Sequence, residues 1–373
     1  MRDHTRECVP DDDSRRRRSV VVAVASIVSL MASGAKKLTL EEIGKRAGVS
    51  RSTVSRVLND HPDVRPSVRA KVEEVIAETG FLPNQAARAL VSNKSGLIGL
   101  VMLTEVDELF GDPYYSSLVN GIQQGCREHN LVFSIFPVLG SGSQANRLIS
   151  QIAQGFVDGV IVTAGPRSEH VIDLLRRTGS RVVVVGHPLD DEGLLRVDVD
   201  NVQGTVDAVQ HLMRLGRGRI GYVGPTDDYV FGVERLAGYH EALADAGRPS
   251  SDRWVRQNDP TVEGGRAAAL ALLPEAPDAI YAATDTMALG VFAALAERGL
   301  AVPDDVAVVG FDGLPRAPRT EPPLTTVVQP VDEVGKAAVS VLVGDEEPPH
   351  LVVLPTHLHV AESCGSTPEP LAE

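Results

Sequence analysis

The chain has 373 residues, a length that suits two or three domains, and its 43% hydrophobic content with only 4% aromatic residues fits an Ala/Val/Leu-rich α/β core. Its net charge of −14 argues against nucleic acid only until it is located. Residues 36–95 hold 11 Lys/Arg against 7 Asp/Glu, and residues 96–373 hold 19 against 38, so a small basic module is joined to a large acidic body. Cys8, Cys126 and Cys364 are far apart and form no CxxC pair, which excludes a thiolate zinc site and a disulfide framework.

At the N-terminus, Arg15–Arg18 followed by SVVVAVASIVSLMA has the outline of a secretory signal, but its apolar run is too short to span a bilayer. Translation is expected to start at Met31, before ASGAKKLTLEEIG, leaving residues 1–37 as a disordered or mis-annotated extension.

Residues 38–60 read as two short helices joined by a tight turn. Thr39 and Glu42 have capping-box spacing, and Leu40, Ile43 and Ala47 form one apolar stripe. Gly48 supplies the turn and Ser50 is a ready N-cap for the second helix. Val54, Val57 and Leu58 face inward there, while Ser52, Arg56 and Asn59 face outward and Arg51 stands at the exposed N-terminal end. A helix this short needs a partner to bury its apolar side. Its polar face suits a major groove, with guanidiniums for guanine edges and hydroxyls for phosphates. Taken alone, two capped amphipathic helices favour a surface hairpin with a solvated basic face.

A third helix is expected from Pro66 to Gly80, with Val68, Val72, Val75 and Ile76 covering the first two. The alanine-rich run Asn84-Gln85-Ala86-Ala87-Arg88-Ala89-Leu90 is too short to be stable in water. It is expected to fold only when two copies pack across a dyad on DNA, with Leu90 as a minor-groove wedge. A plain linker is the alternative.

The run GVSRSTVSRVLN, and after it PNQAARAL, resembles the headpiece and hinge of the lactose/galactose repressor (LacI/GalR) family of bacterial transcriptional regulators. The resemblance implies base reading by Arg51, Ser52 and Arg56. It implies DNA contacts from Thr39, Ser50, Thr53, Ser55 and Asn59, and hinge contacts from Asn84, Ala87 and Leu90.

From Gly96 onward apolar strands at 97–103, 131–138, 159–164, 181–186, 219–224, 279–284 and 306–311 alternate with helical segments such as 118–128, 148–155, 171–178, 202–215, 235–246 and 287–298. This pattern gives parallel sheets covered on both faces, and the length requires two doubly wound lobes with a ligand cleft between them. Cys126 continues the Leu118, Ile122 stripe and is expected to be a core thiol.

Blocks such as DPYYSSLVNGI, VDVDNVQGTVDAVQHL, ERLAGYHEAL and ATDTMALGVFAAL resemble the same family's two-lobed, periplasmic-binding-protein-like effector domain, through about residue 363. The resemblance implies three chain crossings between lobes, placed near 197–200, 312–321 and 327–331. It also implies effector contacts from Tyr114, Tyr115, Arg235 and Asp285, with Asp312 at the hinge between lobes. Guanidinium and carboxylate groups can each bridge vicinal sugar hydroxyls. Asp200 reads equally well as a helix cap. The chain departs from the family pattern at Pro260, Gly186-His187 and Ala361. His187 could touch ligand or be a structural histidine, and the His357/His359 pair reads as structural rather than metal-binding.

The resulting division is a headpiece at 38–82, a hinge at 83–95, an effector and dimerisation domain at 96–363 and a flexible tail at 364–373. The expected function is a repressor acting as a homodimer on pseudo-palindromic operator DNA, controlled by a small carbohydrate effector. It is cytoplasmic, with no enzymatic signature, cofactor or metal. The alternative is an exported sugar-binding protein of a transporter.

Overall fold

A computed structural model describes residues 38–58, 61–81, 95–103, 112–138, 143–166, 168–188, 193–249, 251–313, 319–344 and 348–366. Asn59, the residues Asn84, Ala87 and Leu90 expected to form the hinge contacts, and the N-terminal extension lie outside them. The chain divides into two compact units, Met1–Gln85 and Ala86–Glu373.

The first unit is built from α1 (Leu40–Ala47), α2 (Arg51–Leu58) and α3 (Pro66–Thr79). Thr39 and Glu42 cap α1 reciprocally, the Thr39 amide donating to Glu42 Oε2 at 2.7 Å and the Glu42 amide to Thr39 Oγ1 at 3.3 Å. Gly48 ends the helix at φ +68°, a conformation that side chains resist and that sets the angle at which α2 departs. Ile43, Val54, Val57, Val72 and Phe81 are buried together, with Leu58, Val75 and Ile76 packed around them. Phe81 closes this small core from beyond α3 and was not among the residues expected there. Arg69 donates to the carbonyls of Val57 and His61 at 3.4 and 3.1 Å, tying α3 to the end of α2.

The second unit holds two six-stranded sheets. In the first lobe β1 (Leu97–Met102), β2 (Val132–Pro137), β3 (Gly159–Thr163), β4 (Val182–Val185), β5 (Leu195–Val199) and β11 (Leu351–Leu354) lie in the order β2-β1-β3-β4-β5-β11. All these pairings are parallel. The covering helices are α4 (Pro113–Glu128), α5 (Ser143–Ala153), α6 (Ser168–Arg177) and α11 (Val331–Val343). Cys126 is buried on α4 and burial pushes its thiol up to about 11, as a core thiol requires.

The second lobe orders β6 (Ile220–Pro225), β7 (Val255–Asn258), β8 (Ala279–Ala282), β9 (Ala307–Asp312), β10 (Thr325–Val328) and β12 (His357–His359) as β7-β6-β8-β9-β10-β12. Its helices are α7 (Asn201–Arg214), α8 (Val230–Asp245), α9 (Val262–Leu272) and α10 (Asp285–Glu297). Only β12 runs antiparallel to its neighbour among the described pairings of this sheet.

This lobe buries Tyr222, Tyr239 and Tyr281 completely. Each hydroxyl has a partner: Gly232 O at 3.1 Å, Ile220 O at 2.8 Å and Thr205 Oγ1 at 2.8 Å. A buried hydroxyl without one would cost roughly 1–3 kcal/mol. No described helix is long and apolar enough to cross a membrane.

The lobe crossings differ in part from expectation. The first follows β5 and the next joins β10 to α11, near the expected 197–200 and 327–331. The crossing expected at 312–321 is not one, because β9 and β10 are hydrogen-bonded neighbours in the same sheet. The remaining crossing joins β11 to β12, between Leu354 and His357. Cys364, assigned to the tail, is fully buried in the second lobe's core.

Candidate functional sites

In the headpiece the short helix α2 carries its chemistry on one face. Ser50 caps it, its Oγ accepting the Thr53 amide at 3.1 Å and lying 2.7 Å from Ser52 Oγ and 2.9 Å from Thr53 Oγ1. Arg51, Ser52 and Arg56 are exposed, while Thr53 and Ser55 are half-buried at the edge of that face. The structure therefore brings together the three residues expected to read bases and flanks them with hydroxyls. Thr39 is exposed, but its hydroxyl is engaged with Glu42 in the α1 cap.

In the effector unit the central group is Arg235, on α8 and only 3% exposed. Its Nη1 donates to Asp312 Oδ1 at 3.1 Å and to the Ala283 carbonyl, and its Nε donates to Asn201 Oδ1 at 2.9 Å. The guanidinium lies over the Phe311 ring, 3.6 Å from its centroid. Asp312, at the end of β9, is held at φ +127°, a backbone strain sustained by partners on both sides. Gln329 Nε2 donates to its Oδ1 at 2.6 Å, and the Asp285 amide to its Oδ2 at 3.3 Å. Burial pushes the Asp312 carboxyl up to about 6, with Arg235 opposing and Asp112 adding to the shift.

Asp285 begins α10 behind Asp312. It is 2% exposed, and its Oδ1 accepts from Thr326 Oγ1 at 2.6 Å. Gly310 makes room for it: a Cβ there would lie 2.3 Å from Asp285 Oδ1. Tyr114 comes from the other lobe, on α4. Together with Asp312, Gln329 and Asp332 it lines a cavity of about 170 Å³ between the lobes. Burial, with Asp198 next, raises its phenol well above the usual tyrosine range. Tyr115 packs edge-on against Tyr114 at 5.6 Å, half-buried on the first lobe's core.

His187 follows β4, and its Nδ1 lies 2.6 Å from Glu234 Oε1 on α8, so this contact joins the two lobes. Asp200 is the cap of α7, accepting the Gln203 amide at 2.9 Å. Tyr114, Arg235 and Asp312 thus converge, His187 stands to one side with Glu234, and Asp285 supports from behind.

Sequence reasoning did not single out Asp198, Glu234, Asn201, Thr326 or Gln329. Two signals were present. Asp198 is a carboxylate inside the buried strand LRVDV, and Glu234 directly precedes Arg235 on a helix that is otherwise largely apolar.

A family model described as bacterial regulatory proteins, lacI family, matches residues 39–84, and one described as a periplasmic binding protein-like domain matches residues 209–364. The HTH-type transcriptional regulator CelR of Thermobifida fusca is 38% identical over 336 residues, covering 88% of this chain and 98% of that protein. A solved CelR–cellobiose complex is similar at TM-score 0.69 and 36% identity, covering 87% of this chain and 99% of that one. The lac repressor dimer bound to operator and the anti-inducer ONPF is similar at TM-score 0.75 and 27% identity, covering 88% of this chain and 99% of that one. With the helical headpiece, the two-lobed body and these full-length similarities together, the chain belongs to the lacI family of bacterial regulatory proteins.

Proposed function

We propose that this regulator is a sequence-specific repressor, working as a homodimer on a pseudo-palindromic operator, whose DNA affinity is set by a carbohydrate held between its lobes. Arg51 and Arg56 read guanine edges and Ser52 assists. Ser50, Thr53, Ser55 and Asn59 position phosphates, and Thr39 adds a contact from the end of α1. Residues 83–95 form the hinge, with Asn84, Ala87 and Leu90 at the minor groove, between a headpiece at 38–82 and an effector domain from 96. The match of residues 39–84 to a lacI headpiece favours this reading over an exported binding protein. The protein acts in the cytoplasm, and its cleft binds rather than transforms its ligand.

The observation that carries the effector reading is the Arg235–Asp312 pair, a polar clamp at the strand ends facing Tyr114 of the other lobe. Such a clamp suits vicinal hydroxyls, with the tyrosine giving stacking or apolar contact. The solved complex of a relative, CelR with cellobiose, supports a sugar. The cavity of about 170 Å³ is smaller than the roughly 300–1,000 Å³ of typical ligand pockets, so a disaccharide must part the lobes to enter. A ligand that binds one lobe arrangement more tightly than the other then shifts the population between them.

The test is a carbohydrate panel that includes cellobiose, scored first by thermal shift and then by titration of a selected inverted-repeat duplex with each hit. A hit should change operator affinity by about 5- to 150-fold, the range of typical coupling energies. A ligand that binds with no effect on the duplex would refute the coupling.

A further inference from the structure

A second cluster lies beside the Arg235 clamp and is not used by it. His187 follows β4 and Asp198 sits within β5, both in the first lobe, while Glu234 lies in the first turns of α8 in the second lobe. One ligand atom from each comes within 4.8 Å of the other two. From these three side chains, we propose a binding site for a divalent transition-metal ion that spans the two lobes.

The donor set is one imidazole and two carboxylates. That combination suits borderline ions such as Zn²⁺ and Co²⁺, whereas Mg²⁺ and Ca²⁺ call for more oxygen ligands. Ligand atoms bound at about 2.0–2.2 Å from an ion must draw closer together than they stand here. Side-chain rotation can supply that movement, because the His187 and Glu234 side chains are 29% and 26% exposed. The exposure also gives an ion access from the cleft.

The outer contacts are in place. Asn201 Nδ2 donates to Glu234 Oε2 at 2.9 Å, leaving Oε1 turned toward His187, and Asn201 is itself fixed by Arg235 Nε at 2.9 Å. The Val199 amide holds Asp198 Oδ1 at 2.8 Å. Such second contacts orient ligands and usually affect metal affinity as strongly as about 10- to 100-fold.

Electrostatics favours a cation as well. Asp198 and Glu234 bring two carboxylates together beside a single imidazole in a partly buried cleft, where they repel each other. A divalent ion between the two carboxylates would offset their mutual repulsion.

The full chain, stripped with a chelator and free of DNA and sugar, should be titrated with Co²⁺ while visible d–d absorption is followed, and then with Zn²⁺ as competitor. One Co²⁺ per chain is expected, displaced by Zn²⁺. His187→Ala, Asp198→Asn and Glu234→Gln should each weaken binding by at least about tenfold, and Asn201→Ala by about 10-fold or more. Far-UV circular dichroism checks that each variant folds, and His187→Gln serves if another does not. His357→Ala should leave the titration unchanged. Failure of the chain to take up Co²⁺ would overturn the proposal, as would uptake that survives all three ligand substitutions or disappears with His357→Ala. Because neither operator nor sugar enters this test, its failure would leave the regulatory reading intact.

Discussion

The headpiece and the effector unit place their recognition chemistry on different supports. In the headpiece eight consecutive residues, Arg51–Leu58, carry both the buried side that holds the helix and the exposed side that would meet DNA. In the effector unit the central cluster gathers Asn201, Arg235, Asp285, Asp312 and Gln329 from points more than 120 residues apart, and Tyr114 reaches it from the other lobe. A local site of the first kind can stay exposed, its hydroxyls tied to one another and its Arg51 and Arg56 side chains in solvent, where a duplex would supply their partners. The second kind is buried and must satisfy itself when empty, which is why Arg235 and Asp312 hold each other.

The largest expected effect breaks that self-satisfaction. Arg235→Ala leaves Asp312 and Asn201 buried without their cationic partner, and loss of one member of a buried pair costs about 3–5 kcal/mol. Thermal unfolding followed by calorimetry should show the effector unit melting earlier, with loss of sugar binding. An unchanged transition would mean that the pair contributes little.

The matching change in the headpiece is Ile43→Ala, which opens a cavity in a core of few residues and costs about 2–5 kcal/mol. Operator binding should be lost while sugar binding persists. Loss of both would show that the two regions do not fold independently.

A smaller effect concerns pH. The Asp312 carboxyl is pushed up from 3.8 to about 6, so the folded state holds a proton that the unfolded chain releases at lower pH. The stabilising contribution of that proton is complete below the unfolded value and is lost as pH rises through about 6. The effector unit's stability should therefore fall between those values in the parent chain, and Asp312→Asn should flatten this part of the profile. A profile that rises through the window in the parent and keeps its slope in the variant would contradict the assignment.

The smallest effect is the most selective. Arg51→Ala should cost about 1–3 kcal/mol of discrimination at one base pair of each half-site and leave the unfolding temperature unchanged. Equal weakening on every duplex would make Arg51 a phosphate contact instead.

The same contrast explains what could be read from the sequence. The α1–α2 pair, its caps and its inward residues were legible because every determinant lies within a few residues, as the Thr39–Glu42 box shows. The parallel strands were legible from apolar runs such as VVVV at β4. The crossing misplaced at 312–321 was not, because an exit loop and a loop between neighbouring strands of one sheet look alike until the register of β9 with β10 is known. Asp198 and Glu234 went unnoticed because nothing in sequence links two acids 36 positions apart. Asp200 could not be separated from a pocket residue until its carboxylate was seen to cap α7. Phe81 was missed because an aromatic residue after a helix-ending glycine carries no periodic signal.

The most direct measurement is titration of a fluorescent inverted-repeat operator, selected from random sequence, with purified full-length protein in the absence and presence of a cleft-binding sugar at fixed salt. A salt-resistant preference for one inverted repeat is expected, with an affinity that the sugar changes and that Arg235→Ala makes indifferent to sugar. Uniform binding to all duplexes, or a sugar response that survives Arg235→Ala unchanged, would contradict the link between the cleft and the groove.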